Sequence, residues 1–401
     1  MKLLVFAHTP PPHHGQSYMV KLMLDGFGGD RRRQKRKPPD AFGIECYHVN
    51  ARFSQSLEDV GEFQGTKIFL ILFYCLQAIW CRFRYGATHF YYVPAPGKAV
   101  ALYRDWLIML LCRPFFKKII LHWHAAGLAR WLETSAQMRS RAITYRLFKP
   151  VDLSIVLSRY NFADAEKLLS HQICVVNNGI PDPCPDFENT IRPQRRERFA
   201  ARAQTFAGEN PGEAITVKVL FLAHCTREKG LFAAADAVLR VNRQLAAGFR
   251  PVKLKLITAG NFVTAEEQDE FNRLRNNPEF AAAVEHLGFV SGQQKEQLLR
   301  TSDLFLFPTH YHGENQPVNL IEAMAFGLPL VTTRWRSLPE MLPPDYPGLV
   351  DGQDPDEVAA AILQVLQSRA GQHVRNHFCE RFTLERHLAD LAAAIRSVAA
   401  E

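Results

Sequence analysis

Short apolar runs alternate along the chain with amphipathic stretches. Lys2–His8 is such a run, closed by a proline-rich turn, and reads as a buried strand. Gly15–Phe27 follows, with Met19, Val20, Leu22, Met23 and Phe27 predicting a helix. Further strands are expected at Gly43–Val49, Thr88–Val93, Lys118–His124, Leu153–Leu157 and Ile173–Val176, with helical stretches between several of them. Strands that alternate with helices predict a parallel sheet covered on both faces. Between Asp182 and Glu213 the pattern lapses. Pro181, Pro183, Pro185, the basic run Arg192–Arg198 and the stretch GENPGE carry no apolar period, so this segment reads as a linker, helical in part at most. The alternation then restarts. Strands are expected at Thr216–Ala223, Lys253–Ala259, Leu304–Pro308 and Pro329–Thr332, and helices at Gly230–Leu245, Gly292–Thr301, Pro317–Phe326 and Leu384–Val398. Ser291 and Gln294 fit a capping box. Asp354, Pro355 and Glu357 fit the N-cap, N1 and N3 positions of a helix through Leu366.

The reading is therefore α/β: two doubly wound, Rossmann-like domains facing a central cleft. The first covers 1–183, a linker covers 184–213, the second domain covers 214–378, and a terminal segment covers 379–401. In doubly wound sheets, ligands bind beyond the carboxyl ends of the strands. Composition agrees with a soluble two-domain chain: 401 residues, 47% hydrophobic and 22% charged. That much apolar material excludes disorder as the main state. Eight cysteines without a C-x-x-C pair read as reduced thiols rather than a disulfide framework. The opening MKLLVFAHTPPP has too short an apolar run for a signal peptide. Ile68–Cys81, about 14 apolar residues, falls short of the ~20 a membrane span needs, so a cytosolic location is expected. Charge is uneven: residues 1–200 hold 28 Lys and Arg against 16 Asp and Glu, a net of +12. Residues 201–401 hold 20 against 24, a net of −4. The first half thus suits an anionic neighbour.

Four places after strands carry candidate chemistry. In PTHYHGENQPVNLIEAMAFGLPLVTT (308–333), Glu314 precedes a helix start and Glu322 lies eight positions later in an otherwise apolar run. Free amides and the positive dipole end suit phosphate or hydroxyl oxygens there. A carboxylate in apolar surroundings needs partners to offset its desolvation. In FLAHCTREKGLF (221–232), Arg227 and Lys229 sit in a strand-to-helix turn suited to a diphosphate, whose leaving-group charge grows during bond cleavage. In IILHWHAAG (119–127), His122 and His124 end a buried strand on the same side; either could equally be a satisfied core histidine, and no third ligand completes a zinc site. In HTPPPHHGQS (8–17), Gly15 permits close backbone approach to a ligand.

Together these residues resemble the retaining glycosyltransferases of family 4, which have the GT-B fold. E-x7-E with AMAxGxPxV (Glu314, Glu322, Ala323, Met324, Ala325, Gly327, Pro329, Val331) is similar to that family's signature. REKG (227–230), Thr258-Ala259-Gly260, LGFV (287–290) and SDLFLFPT (302–309) fall in the family's order, as do HWHAAG, IVLSRYN (155–161) and VVNNGI (175–180). The resemblance implies a metal-independent transferase using a nucleotide-diphospho-sugar co-substrate, UDP- or GDP-linked, and no other cofactor. It implies donor binding by the second domain and acceptor binding by the first, with the last helix crossing back to the first domain. Lys229 would hold the diphosphate, Glu322 the ribose hydroxyls, and Glu314 with the following amides the donor sugar. His124 would contact the sugar near its anomeric carbon, and Gly15 and Gln16 would cover the diphosphate. Catalytic roles thus fall on His124, Glu314 and Lys229. Two departures stand out. The family's usual Arg five residues before the Lys is His224, for which Arg227 could substitute. The usual Gly-Phe-Gly after the first glutamate is Asn315-Gln316-Pro317. Pro317 has no N–H, so sugar contacts fall to Asn315, Gln316 or Val318, with Asn319 beside them.

RRRQKRK (31–37) reads either as a solvated loop or as a segment drawn to anionic lipid. KIFLILFYCLQAIWCRFR (67–84) reads either as a core helix or as an interfacial one. A membrane surface and a glycan or lipid-linked acceptor are accordingly expected partners, and nucleic acid is not. The rival readings are a nucleotide-sugar epimerase of related fold and a non-catalytic glycan- or nucleotide-binding protein on this scaffold.

Overall fold

The computed structural model describes residues 1–11, 14–33, 42–53, 65–207, 214–368 and 370–398. The chain forms two compact units. One comprises Met1–Pro181, Gly313–Gln316 and Phe382–Glu401; the other comprises Asp182–His312 and Pro317–Arg381. These bounds differ from the sequence expectation in one respect that matters below. Gly313–Gln316, expected in the second domain, belongs to the first unit.

The first unit is built on a parallel sheet of β1 (Lys2–Ala7), β2 (Glu45–Asn50), β3 (His89–Tyr92), β4 (Lys118–Trp123), β5 (Val151–Val156) and β6 (Ser170–Val175), in the order β2-β1-β3-β4-β5-β6. Period-two alternation sends successive side chains to opposite faces. Leu4, Phe6, Phe90 and Leu121 pack under α2 (Gly65–Tyr85) and α3 (Ala99–Cys112). Leu3, Val5, Tyr91 and Ile120 pack on the other face under α1 (Gly15–Gly26) and the closing helix Leu384–Ser397. The closing helix is tied in by Ile180 N–H to Phe382 O at 3.0 Å and Leu384 N–H to Ile180 O at 2.9 Å. Gly179 lets the chains approach, because a Cβ there would stand 2.3 Å from Thr383 O.

The length of α2 corrects one expectation. The helix runs through Arg82 and Arg84, so Ile68–Tyr85 is long and apolar enough to cross a membrane by length and composition. Arginines end an apolar count, yet at a helix end they extend outward and do not end the helix. Of RRRQKRK, residues 34–37 lie outside the described residues, and so does GENPGE.

The second unit holds β7 (Ile215–Leu222), β8 (Val252–Ala259), β9 (Val284–His286), β10 (Leu304–Phe307), β11 (Leu330–Thr333) and β12 (Leu349–Val350), parallel and ordered β12-β11-β10-β7-β8-β9. β9 and β12, of 3 and 2 residues, are too short to register as a period. The expected linker contains a helix, Ile191–Ala207, that belongs to this unit. Arginines hold it where apolar residues would usually do so. Arg195 donates to Phe326 O (2.8 Å), Ser302 O (2.9 Å) and Leu299 O (2.9 Å), and Arg198 donates to Thr301 O (2.7 Å). Docking by guanidinium groups explains why the segment shows no apolar period. One of the two expected caps differs. Ser291 makes no side-chain capping bond, although its helix, Gly292–Thr301, forms. Asp354 does accept from Asp356 N–H at 3.1 Å, while Glu357 reaches back to Asp351 N–H at 2.6 Å.

Candidate active site

In the second sheet the strand order reverses between β7 and β10, the place where doubly wound sheets bind ligands. The turn after β7 carries His224, Arg227 and Lys229, and the segment after β10 leads to the helix Val318–Ala325 with Asn319 and Glu322. The two are stitched together. Asn319 donates to Leu222 O at 2.8 Å, the last residue of β7, and His310 N–H donates to Glu228 O at 2.7 Å. Gly230, at φ +89°, lies so close to Pro308 that a Cβ would meet its carbonyl oxygen at 2.2 Å. Any larger residue would push the Lys229 turn off the end of β10. Lys229 is half-buried, with Nζ 4.2 Å from the centre of the Tyr311 ring, a cation–π seat that holds the charge at the strand ends.

Glu322 is one turn beyond Asn319 on the same helix side. Its carboxylate meets Lys295 Nζ at 2.5 Å, with side-chain exposures of 16% and 33% for Glu322 and Lys295. The partner that a carboxylate in an apolar run requires is thus Lys295, from the helix Gly292–Thr301. No spacing rule signals it, because the pair joins two separate helices. Arg227 is engaged elsewhere: its guanidinium meets both Glu270 oxygens at 2.6 and 2.7 Å. His224 is held below its ordinary pKa by burial and then by the Lys229 charge, so it is a neutral imidazole. The expectation that Arg227 takes the place of a cation at 224 therefore meets a paired Arg227 beside a neutral His224. Lys229 supplies the cation at this turn.

In the first unit the strand order reverses between β1 and β3. α1 starts after β1, with Gly15 and Gln16 in its first turn and His14 as N-cap, its Nδ1 accepting from Ser17 N–H at 3.4 Å. His8 and His14 meet through their Nε2 atoms at 2.7 Å. His122 and His124, at the end of β4, have ring centres 4.2 Å apart, and His122 Nδ1 meets Tyr91 OH at 2.5 Å. Neither Nε2 of this pair has a protein partner among the described residues. Burial dominates these rings. It pulls His8 down to about 4 and His124 to about 3, and holds His122 well below its ordinary range. His8, His122 and His124 are neutral near pH 7, able to donate one hydrogen bond and accept another.

Glu314, Asn315 and Gln316 join this unit. Asn315 donates to Trp123 O at 3.3 Å, which brings the segment to the β4 end beside His124. Glu314 is buried next to it in the chain. The Gln316 side chain anchors the segment: Nε2 donates to Leu157 O (2.6 Å) and Asn177 Oδ1 (2.8 Å), and Oε1 accepts from Asn178 N–H (2.9 Å). The main-chain O of Gln316 also accepts from Asn178 Nδ2 at 3.0 Å, so both the side chain and the carbonyl of Gln316 serve to anchor the segment. Asn177 O in turn meets His387 Nδ1 at 2.6 Å, linking the closing helix to the same network. Asn177 and Asn178 lie in the VVNNGI stretch singled out in the sequence, but their role, like that of His387, escaped sequence reasoning because they act on the segment from far along the chain.

Residues 216–368 match the family model described as glycosyl transferases group 1. The chain is similar to the MMP alpha-(1->4)-mannosyltransferase of Mycolicibacterium hassiacum, 33% identical over 257 residues, which are 60% of this chain and 59% of that one. It is also similar to the amylovoran biosynthesis glycosyltransferase AmsK of Erwinia amylovora, 28% identical over 159 residues, 38% of this chain and 37% of the relative. Across the curated relatives it matches, the chain spans between 23% and 59% of the relative's own length. Among solved structures, sucrose-phosphate synthase of Thermosynechococcus elongatus aligns over 100% of both chains with a TM-score of 0.65 at 15% identity. HepE of Anabaena, in complex with UDP and glucose, aligns over 98% of this chain and 99% of its own, with a TM-score of 0.61 at 15% identity.

The fold is GT-B. Within this GT-B chain the family-model match encloses Lys229, Lys295, Asn319 and Glu322 of the second unit, and also Gly313–Gln316, which the chain contributes to the first.

Proposed function

We propose that this chain is a glycosyltransferase that moves a sugar from a nucleotide-diphospho-sugar to a glycan or lipid-linked acceptor. The carrying observation is that the Lys229 turn follows β7 and the helix bearing Glu322, which pairs with Lys295, follows β10, the two strands between which the order reverses, all within the group 1 match. In this reading Lys229 offsets the diphosphate charge as the sugar–oxygen bond breaks. Glu322, oriented by Lys295, accepts hydrogen bonds from the ribose hydroxyls. Neutral His124 donates to a sugar hydroxyl, and Glu314 holds the sugar from the same strand end. The transfer retains configuration and needs no metal ion. The anomeric carbon loses the phosphate oxygen and gains the acceptor oxygen on one face, and the acceptor's proton passes to the departing phosphate. The enzyme works in the cytosol at a membrane face. Solved neighbours that carry UDP or UDP-2-fluoro glucose support a nucleotide-sugar donor.

One observation favours a second reading, a binding protein without turnover: the diphosphate turn has a neutral His224 and a paired Arg227. A thermal-shift panel of UDP-, GDP- and ADP-sugars tests both. Binding raises the apparent midpoint, and Glu322→Gln should remove that rise. A panel with no rise refutes both readings. A rise with neither transfer nor hydrolysis by the purified protein selects the second, and product of inverted configuration refutes retention.

A further inference from the structure

One face of α2 is apolar and turned to solvent. Ile71, Cys75, Ala78 and Cys81, spaced by three or four residues, are buried in the core over the sheet. On the opposite side Phe69, Phe73, Leu76, Trp80 and Phe83 repeat at the same spacing and are exposed by 75, 60, 66, 52 and 69%. Phe115 extends the patch, its ring 5.9 Å from that of Phe83. A helix that is apolar all round ordinarily lies in a protein core or in lipid, and only half of α2 has a core. Residues 65–85 contain no Asp or Glu. Cations gather at the C-terminal end. Arg84 is exposed, Arg82 Nε donates to Phe115 O at 2.8 Å, and Lys2 Nζ donates to Tyr85 O at 3.0 Å. Arg32 reaches Cys81 Sγ at 3.8 Å. The nearby carboxylates Asp30 and Glu45 face Arg32 and Arg31.

We infer that α2 seats this protein on an anionic phospholipid surface. The helix lies in the plane of the interface, with its outer aromatic row among the acyl chains and the basic end among the headgroups. It does not cross the bilayer, because its inner row from Ile71 to Cys81 is part of the first unit's core. Charge complementarity selects the bilayer over a second copy of the chain: α2 carries basic side chains and no Asp or Glu, so a second α2 in either orientation brings no acidic partner to the basic end, and anionic headgroups do. The inference is independent of the donor reading, since its test measures lipid binding and not transfer.

The test is flotation of the full chain with vesicles of equal parts phosphatidylcholine and phosphatidylglycerol, against phosphatidylcholine alone. Wild-type protein should float with the anionic vesicles, more weakly with the neutral ones, and less as salt rises. The triple variant Phe69→Ser, Phe73→Ser, Trp80→Ser should bind at least about tenfold less. Brominated acyl chains should quench wild-type fluorescence, and Trp80→Phe should lose that vesicle-dependent quenching; this single variant covers the case in which the triple one fails to fold. Equal flotation of triple variant and wild type, no flotation of wild type, or undiminished quenching in Trp80→Phe overturns the inference. Carbonate-resistant retention in the vesicles, which would mean a span, overturns it too. So does a dimer dissolved by the triple variant without vesicle binding.

Discussion

His387 offers a direct measurement of how burial governs the histidines of the first unit. The ring, on the inner side of the closing helix, is 2% exposed, and its Nδ1 is bonded to Asn177 O. Burial pulls its pKa from 6.5 down to about 4, outweighing the bond to Asn177 and the Asp390 charge, which both favour the proton. The sign follows from linkage. The folded state refuses a proton that the unfolded chain accepts, so the stability is complete above about pH 6.5 and drains away as pH falls toward about 4. At pH 5 the unfolded ring is charged in about 97% of molecules and the native ring in about a tenth. That difference removes about 2 kcal/mol of stability between pH 7 and pH 5 from this one group. His387→Asn keeps an N–H close to the Nδ1 position and removes the titration. It should cost some stability at every pH, but its stability curve should be flatter than the wild type's by about 2 kcal/mol across that interval. Urea unfolding followed by tryptophan fluorescence is the assay, because Trp80, Trp106, Trp123 and Trp131 lie in the first unit and Trp335 in the second. Parallel curves for variant and wild type would mean that the buried ring titrates normally, and would refute the reasoning.

Lys229→Ala should lower transfer or donor binding at least about tenfold, whereas Arg227→Ala, whose guanidinium is already held by Glu270, should change donor affinity by no more than about threefold; comparing kcat/KM of the two variants checks this, and equal losses would restore Arg227 to the diphosphate. Gly230→Ala should cost about 1–3 kcal/mol through its positive φ and the collision with Pro308 O, read as a lower urea midpoint, with donor affinity falling as the Lys229 turn shifts.

The sequence by itself determined the alternation of strands and helices, most strand positions, and the residues at the strand ends, because each of these is local. An apolar run such as Leu3–Phe6 must be buried wherever it folds. A glutamate inside LIEAMAF must find a partner, whatever that partner is. Tertiary structure decided which partner. Lys295 meets Glu322 from another helix, Glu270 takes Arg227, and Gln316 is bound by Leu157, Asn177 and Asn178, so that Gly313–Gln316 joins the first unit. Periodicity also assumes that helices dock by apolar contact. Ile191–Ala207 docks through arginines to main-chain carbonyls, and it was therefore invisible as a packed element. For α2 the reverse holds. Its residues are apolar on every side, and only the single sheet face available to it determines which row is covered and which row meets solvent. Hydrophobicity is a property of each residue, but burial depends on how many surfaces the fold brings against it.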